Sequence, residues 1–324
     1  MRAKDVIASF SGFRAPSVAA AALVFLHELS VQHTIGQPPR EARWQRILER
    51  PEREWGAALD AACRACARTW PEQLDGFFGE VRFAEEPAYA VRRGVQAAER
   101  LSRHAERDGG PWDRRTLLAS ISQDLRSLQS KQWQGAFLTP WAVAEMSARM
   151  LLDVEEATEL WVLEPCVGGA AMLLAALEVY RERHGLHTSR ALTLIGVDIN
   201  PDACRIARAS LLLAGADASQ FWVFAANSLA QPIVGRDRPD GELRTLQFHV
   251  LLTNPPFGTR ESPRQLAADT NRGPLVIPDH VLYRRIPRVA TYPVAGPEHA
   301  PVNAKRATAQ IAEPGEQLRL PWAA

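Results

Sequence analysis

The spacing of apolar residues changes character near the middle of the chain. Up to about residue 130 these residues recur with a helical period, as in "PSVAAAALVFLHELSVQ", which begins at Pro16, and "DRRTLLASISQDLRSLQ", which begins at Asp113. Proline is favoured in the first turn of a helix, and aspartate is a good N-cap. The second segment places five apolar residues on one face: Leu117, Leu118, Ile121, Leu125 and Leu128. The pattern predicts an all-helical N-terminal domain over residues 1–130, which either only packs or also contacts a partner.

From Leu160 onward, short apolar runs alternate with helical segments. The runs are "LWVLEP", "ALTLIGVDI", "FWVFAANSL" and "FHVLLTNPPF", and the helical segments are "CVGGAAMLLAALEVYRER" and "NPDACRIARASLLLAG". This alternation favours parallel strands with right-handed crossovers. It predicts a doubly wound, Rossmann-like α/β sheet within residues 131–286. The last segment, residues 287–324, is rich in proline with little periodicity and is predicted to be an irregular tail.

Composition limits the classes of function. Hydrophobic residues make up 46% and charged residues 23%, so the chain can bury a sizeable core. The net charge of +1 does not by itself indicate a nucleic-acid partner, and any basic surface would have to be local. The N-terminus is not a convincing signal peptide, and the apolar run from Val18 to Leu26 is too short to span a bilayer. We expect a cytoplasmic protein without a membrane segment.

The cysteines do not form a secreted disulfide pattern. Cys63 and Cys66 make a C-x-x-C pair, but the sequence has no second pair and no histidine close by. The surrounding segment has helical periodicity. We therefore favour packed helical cysteines over a zinc or redox site, and we expect no metal.

The unusual residues of the α/β segment fall where its strands end. These are Glu164, Asp198, Asn227 and Asn254. Ligands of such sheets bind beyond the carboxyl ends of the strands. The turn "EPCVGGA" after the first strand would let a ligand approach the backbone at Gly168, next to a helix N-terminus.

The second strand ends in a carboxylate. Asp198 can accept hydrogen bonds from both hydroxyls of a ribose, and this role is favoured over the alternative of a helix N-cap ahead of Pro201. No G-x-G-x-x-G is present, and Asp198 lies far downstream of Glu164. The arrangement suits an adenosyl ligand without a pyrophosphate.

The turn "NPPF", Asn254 to Phe257, follows the fourth predicted strand. Neither Pro255 nor Pro256 can donate to a sheet ladder, so the strand ends there in a rigid corner. The exocyclic amine of a nucleobase is a poor nucleophile because its lone pair is delocalised into the ring. The Asn254 side-chain oxygen and the Pro255 carbonyl could hold its two hydrogens and favour a tetrahedral nitrogen. Phe257 could stack on a base swung out of a duplex. The alternative is a rigid surface turn.

A further segment, "GAFLTPWAVAEMSARML", precedes the first strand. Thr139 is predicted to be a helix N-cap, with Pro140 at the first helical position. The helix N-terminus so formed could hold the carboxylate of an amino-acid-bearing ligand. Taken alone, the pair is only a well-made helix start.

Four segments in order carry a resemblance: "GAFLTPWAVAEMSARM", "VLEPCVGGAAML", "GVDINPDACRIARASLLLAG" and "LLTNPPFG". They resemble the N6-adenine DNA methyltransferases, and most of all the modification subunits of type I restriction systems. The resemblance covers residues 131–260, with a weaker similarity at "GPLVIPDHVLYRR". N-P-P-F alone also occurs in rRNA and protein-glutamine methyltransferases, and the Phe-x-Thr-Pro element favours DNA.

This resemblance implies a cofactor, a substrate and a partner. It implies S-adenosylmethionine, bound by residues around Phe137, Thr139, Pro140, Glu164, Gly168 and Asp198, with Asn227 or its neighbours near the adenine ring. It implies a target adenine in DNA, held by Asn254, Pro255, Pro256 and Phe257. No target-recognition domain is recognisable in the sequence, so a separate DNA-specificity subunit is the expected partner. The alternatives are that the chain methylates DNA loosely or is a degenerate copy.

The sequence also departs from the family pattern. The family usually has aspartate at the position of Glu164, tyrosine at that of Leu138, glycine at that of Ala170 and often aspartate at that of Asn227. The segment between Gly258 and Gly273 is short, and the final strands of the sheet are not recognisable. Two other functions therefore remain: a non-catalytic adenosylmethionine-fold module from a mobile element or restriction locus, and a methyltransferase acting on RNA or protein.

Overall fold

The structure is a computed structural model. It describes residues 8–32, 38–79, 81–105, 113–129, 138–152, 159–185, 191–236, 241–255 and 263–282. The chain divides into two units, Met1–Pro287 and Arg288–Ala324, and every described residue belongs to the first. Phe137, Pro256, Phe257 and the predicted tail lie outside the described residues.

The N-terminal region is helical, as predicted. Its helices are α1 (Pro16–Val31), α2 (Trp44–Leu48), α3 (Trp55–Thr69), α4 (Ala88–Ala105) and α5 (Leu117–Gln129), joined in part by short 3-10 turns. Pro16 occupies the first turn of α1, where its missing N–H costs nothing. Every residue from Ala19 to Leu29 is buried, so α1 is the central helix, with α4 and α5 packed against it.

A buried ion pair joins α1 to the start of α5. Burial alone would raise the pKa of the Glu28 carboxyl, but the neighbouring polar groups of His27, Ser102 and Gln32 and the charge of Arg114 outweigh it and lower the pKa to about 2. Arg114 Nε donates to Glu28 Oε2 over 3.0 Å. The predicted cap of this segment is confirmed, because the Asp113 side chain accepts from the backbone N–H of Arg115.

The α/β part is built on a parallel sheet. Helix α6 (Trp141–Leu151) precedes it, and its strands are β1 (Leu160–Glu164), β2 (Leu192–Asp198), β3 (Phe221–Ala225) and β6 (Val250–Leu251), in the order β3-β2-β1-β6. Helix α7 (Ala171–His184) connects β1 to β2, and α8 (Pro201–Leu213) connects β2 to β3. These parallel pairs confirm the predicted Rossmann-like fold class, including the helical N-terminal region.

Alternate side chains of the sheet enter two different cores. Val162, Leu194 and Val223 belong to the large core shared with α7, α8 and the N-terminal helices. Trp161 and Ile195 belong to a smaller core on the opposite face. This period of two is what a sheet covered on both faces requires.

A second sheet covers the opposite face, and the sequence did not predict it. It consists of β4 (Ile233–Arg236), β5 (Leu243–Thr245) and β7 (Leu275–Val276), in the order β5-β4-β7. Strand β4 is antiparallel to β5 and parallel to β7. Helices α9 (Pro263–Thr270) and α10 (Asp279–Leu282) flank β7 along the chain. The segment "GPLVIPDHVLYRR" thus contains a short strand, β7, as its weaker resemblance suggested.

The fourth predicted strand is shorter and less buried than expected. Val250 and Leu252 are buried, but Leu251 is 55% exposed. The reason is position, because β6 is the last strand in the order of the described sheet and pairs only with β1. The apolar run of Val250, Leu251 and Leu252 predicts a strand with all three residues in the core, and this prediction is wrong for Leu251.

The cysteine pair is packed, as the sequence favoured. Cys63 and Cys66 lie buried in α3. Burial raises the pKa of the Cys66 thiol to about 12, which leaves it protonated and poorly reactive. The residues that the structure describes contain no cluster of three metal-ligating side chains. None of their helices combines the length and the apolar character needed to cross a bilayer.

Candidate active site

The polar strand ends meet at one edge of the main sheet. The backbone N–H of Leu252 donates to the carbonyl of Leu163, one residue before Glu164, and the N–H of Ala226 donates to the carbonyl of Asp198. Parallel pairing therefore brings the ends of β6, β1, β2 and β3 to the same edge. Asn254 lies directly beyond this edge, two residues after Leu252.

The turn after β1 and the end of β2 are hydrogen-bonded together. Asp198 Oδ2 accepts from the backbone N–H of Gly168 over 2.8 Å. Gly168 has φ +49°, and among the described residues a Cβ atom there would approach only the carbonyl oxygen of Cys166, at 4.0 Å. The turn thus has open space at Gly168, where a ligand could approach the backbone.

The neighbouring glycine has a different role. A Cβ atom at Gly169 would lie 2.2 Å from the Cβ of Ala119, so the turn is in close contact with helix α5 of the N-terminal region. Ala170 follows in the left-handed region, with φ 68°, and is the N-cap of α7. A non-glycine residue there costs roughly 1–2 kcal/mol. That strain gives the family's glycine at this position a physical reason.

Glu164 is buried, and its carboxyl group is only partly hydrogen-bonded within the described residues. It is 3% exposed, and the backbone N–H of Leu173, in the first turn of α7, hydrogen-bonds its carboxylate. Its Oε2 has no hydrogen-bond partner among the described residues. Burial, with a smaller contribution from the charge of Asp198, raises the pKa of Glu164 well above its usual range. A buried acceptor of this kind fits a ligand that carries a cation.

Asp198 is not the cap of α8. That position is held by Asn200, whose side chain accepts from the backbone N–H of Asp202 over 3.0 Å, with Pro201 in the first turn. Asp198 instead accepts from the N–H of Asn200 through Oδ1 and from Gly168 through Oδ2. Each oxygen keeps a second lone pair, so the carboxylate can still accept from a ligand hydroxyl.

The structure joins Thr139 to Asn254. Asn254 Nδ2 donates to Thr139 Oγ1 over 3.1 Å, across 115 residues of chain, and both side chains are half-buried. The predicted capping was wrong: α6 begins at Trp141, Pro140 is its N-cap, and no side chain caps it. The Thr139 hydroxyl is directed to Asn254 instead of to the helix N-terminus.

Asn227 is committed to the protein itself. Its Nδ2 donates to Asp269 Oδ2 over 3.0 Å, and its Oδ1 accepts from the backbone N–H of Leu229 over 3.1 Å. Hydrogen bonds from Asn227 and Gln265 lower the pKa of the Asp269 carboxyl. The amide of Asn227 thus anchors α9 to the end of β3 rather than pointing its polar atoms at a ligand.

Two exposed apolar side chains lie at this edge, and the sequence did not indicate them as site residues. Ile199, directly after Asp198, is 59% exposed, and Leu229, two residues after Asn227, is 77% exposed. Large apolar residues at the ends of neighbouring strands could contact a flat, apolar ring. The available signal was the apolar residue directly after an acidic strand end.

One further pair lies beside the turn. Cys166 in the turn and Thr253, the residue before Asn254, are within interaction distance. Burial raises the pKa of the half-buried Cys166 thiol, so this cysteine is a weak nucleophile. The contact places the corner at Asn254 next to the turn that carries Gly168.

Comparison with known proteins gives a family match. Residues 124–280 match the family described as "N-6 DNA Methylase". A curated relative, "Type II methyltransferase M.MamI" of Microbacterium ammoniaphilum, is 32% identical over 147 residues, which are 43% of this chain and 38% of that protein.

A solved structure is also similar. The type I restriction-modification system methyltransferase subunit from Streptococcus thermophilus has 16% sequence identity and a TM-score of 0.44, with 80% of this chain and 62% of that chain covered. The chain therefore spans well under half of the curated relative and under two thirds of this structure.

Proposed function

We propose, on the premise that residues 124–280 form an N-6 DNA methylase region, that this chain transfers a methyl group to the N6 amino group of adenine in DNA. The family match implies S-adenosylmethionine as the cofactor, which supplies an electrophilic methyl group. A separate DNA-specificity subunit is the proposed partner, as the resemblance to the modification subunits of type I restriction systems implies. One observation carries this proposal: Asn254 extends from the strand edge that also carries Glu164, Gly168 and Asp198.

The residues at this strand edge fit the functional groups of S-adenosylmethionine. The unpartnered Oε2 of Glu164 can accept from the ammonium group of the methionine portion, and the open side of Gly168 leaves room beside the backbone. Asp198 can accept from the ribose hydroxyls. Ile199 and Leu229, the exposed neighbours of Asp198 and Asn227, would contact the adenine ring. By the family resemblance, Phe137, Thr139 and Pro140 complete this site.

The corner after β6 would hold the acceptor. Asn254 Oδ1 and the carbonyl oxygen of Pro255 would accept from the two hydrogens of the adenine N6 amine. That geometry favours a pyramidal nitrogen whose lone pair points away from the ring. The lone pair would form the new N–CH3 bond as the carbon–sulfur bond of the donor breaks and S-adenosylhomocysteine leaves. One of the two amine protons would pass to water as positive charge develops on the nitrogen. By the resemblance, Pro256 stiffens this corner and Phe257 stacks on the extruded base.

The proposal is tested by following a tritiated methyl group from S-adenosylmethionine into unmethylated genomic DNA. The chain is assayed alone and with candidate specificity subunits, and the DNA is then digested to nucleosides. Label in N6-methyladenine is the expected result. Label in RNA or protein but not in duplex DNA would show that RNA or protein, and not DNA, is the substrate. Cofactor binding without methyl transfer to DNA, RNA or protein would point to a non-catalytic module.

Glu164 provides a test of the cofactor site alone. The ligand is S-adenosylhomocysteine, which carries the same ammonium group but has no methyl group to transfer. Because the raised pKa keeps a fraction of Glu164 protonated, its affinity for the ammonium should increase as the pH rises through that pKa. Glu164→Gln should bind about tenfold more weakly and should lose this dependence on pH. Isothermal titration calorimetry at a series of pH values above the ordinary pKa of a glutamate measures both effects.

A stability measurement separates this effect from misfolding. A carboxyl whose pKa is raised in the folded state contributes most to stability at low pH, and that contribution is lost as the pH rises. Replacing this carboxyl by the uncharged amide of glutamine should therefore not lower the thermal midpoint. If Glu164→Gln bound S-adenosylhomocysteine with the affinity of the wild type, Glu164 would not be a cofactor-binding residue.

A further inference from the structure

We propose that Thr139 is a positioning residue that orients the Asn254 carboxamide with its oxygen towards the target amine. This inference rests on the proposed function and adds a role for Thr139 beyond contact with the cofactor. The observation behind it is the hydrogen bond from Asn254 Nδ2 to Thr139 Oγ1, 3.1 Å long.

The orientation of the carboxamide decides whether it can act. Its two ends are nearly equal in size, but only the oxygen can accept a hydrogen bond from an amine. A carboxamide turned by 180° would place its own NH2 group against the amine of adenine, so that two donors would face each other. Since the observed hydrogen bond occupies the NH2 group, it leaves Oδ1 as the end that remains for the substrate.

Thr139 is itself held in place by packing. Two residues further on, the ring of Trp141 lies 4.0 Å below the Arg115 guanidinium, and its Nε1 donates to Glu145 over 3.0 Å. Helix α6 then packs on α7 through the fully buried Ala144 and Ala148. Helix α7 begins at the turn that carries Gly168, so Thr139 has a defined position relative to the cofactor turn.

The hydroxyl group of Thr139 favours one direction of its hydrogen bond with Asn254. A threonine hydroxyl has one donor and two acceptor sites. When Thr139 accepts from Asn254 Nδ2, its own O–H is available to another acceptor, such as the carboxylate of an amino-acid-bearing ligand. With the carboxamide reversed, the O–H would be used on Asn254 Oδ1, and both the ligand and the substrate amine would lose a partner.

Two substitutions at one position test the role. Thr139→Val keeps the shape of the side chain and removes the hydroxyl, whereas Thr139→Ser keeps the hydroxyl. With saturating S-adenosylmethionine and DNA, we expect kcat to fall about tenfold in Thr139→Val and to recover to within about threefold of wild type in Thr139→Ser. S-adenosylhomocysteine affinity, measured by calorimetry, should change by less than kcat does. In an Asn254→Ala background, Thr139→Val should have no further effect on kcat.

A spectroscopic readout keeps the test independent of activity. The side-chain NH2 resonances of Asn254, assigned by their loss in Asn254→Ala, should shift in Thr139→Val and return in Thr139→Ser. Unchanged resonances, or a wild-type kcat in Thr139→Val, would overturn the positioning role and leave the proposed function intact. A loss in Thr139→Val confined to cofactor affinity would also overturn it. Absence of methyl transfer by the wild type is a failure of the proposed function, and the resonances would then decide the orientation by themselves.

Discussion

Asn254→Ala should reduce methyl transfer to DNA by about three orders of magnitude while leaving S-adenosylhomocysteine affinity within about twofold of wild type. The substitution removes the side-chain oxygen that would accept from the target amine, and one preorganised group that stabilises a transition state contributes about 10²–10³ in rate. The carbonyl of Pro255 remains, but a single acceptor cannot hold both hydrogens. Single-turnover assays measure the rate of transfer, and calorimetry measures the affinity.

Asn254→Asp is the matched control, because it keeps the size and an acceptor oxygen but loses the NH2 group that donates to Thr139. Its activity should fall between those of the wild type and Asn254→Ala. The order matters: a corner that only packs would tolerate alanine better than a half-buried charge. If Asn254→Ala methylated DNA as fast as the wild type, the chemistry would have to be assigned to another part of the chain.

The main sheet could be predicted because each of its strands has a recognisable local sequence pattern. Segments such as Leu160–Glu164 and Leu192–Asp198 are buried on both faces, so they are continuous apolar runs. The second sheet has no such signal. Leu243–Thr245 is exposed throughout, and Ile233–Arg236 is stabilised by pairing with Leu275–Val276, which lies much later in the chain. Pairing over such a distance is a tertiary effect that short strands do not encode in their own composition.

The site was predictable where it depends on strand register and not where it depends on tertiary contacts. Gly168 and Asp198 each follow a strand, and parallel pairing of those strands brings them together. Thr139 was interpreted from its immediate neighbours, as a cap for the helix that follows it. Its hydroxyl accepts instead from Asn254, a residue 115 positions away, which no local pattern could reveal.

The helical N-terminal region was also underestimated. The sequence left open whether it only packs or contacts a partner, and the structure shows that α5 packs against the turn that carries Gly168 and Gly169. One core runs through both parts and includes Leu118 of α5 as well as Leu173 of α7. The contact with Ala119 is so close that Gly169 has no room for a methyl group.

Gly169→Ala should therefore destabilise the protein and weaken cofactor binding together. A Cβ at this position would lie 2.2 Å from the Cβ of Ala119, closer than two methyl groups can approach. Because the Ala119 methyl group is fixed to its helix, either α5 or the turn has to move. Overpacking of this kind costs about 1–3 kcal/mol. The free energy of unfolding in urea and the affinity for S-adenosylhomocysteine should both fall.

The compensating substitution makes this prediction specific. Ala119→Gly removes the opposing methyl group, so the double variant Gly169→Ala with Ala119→Gly should regain cofactor affinity close to wild type. Ala119→Gly alone should cost only about 0.5–1 kcal/mol, as glycine does inside a helix, and should leave the affinity unchanged. Recovery in the double variant would show that α5 fixes the shape of the cofactor turn. Equal affinity in the single Gly169→Ala variant and the wild type would mean that the turn adapts freely and that the N-terminal helices do not support the site.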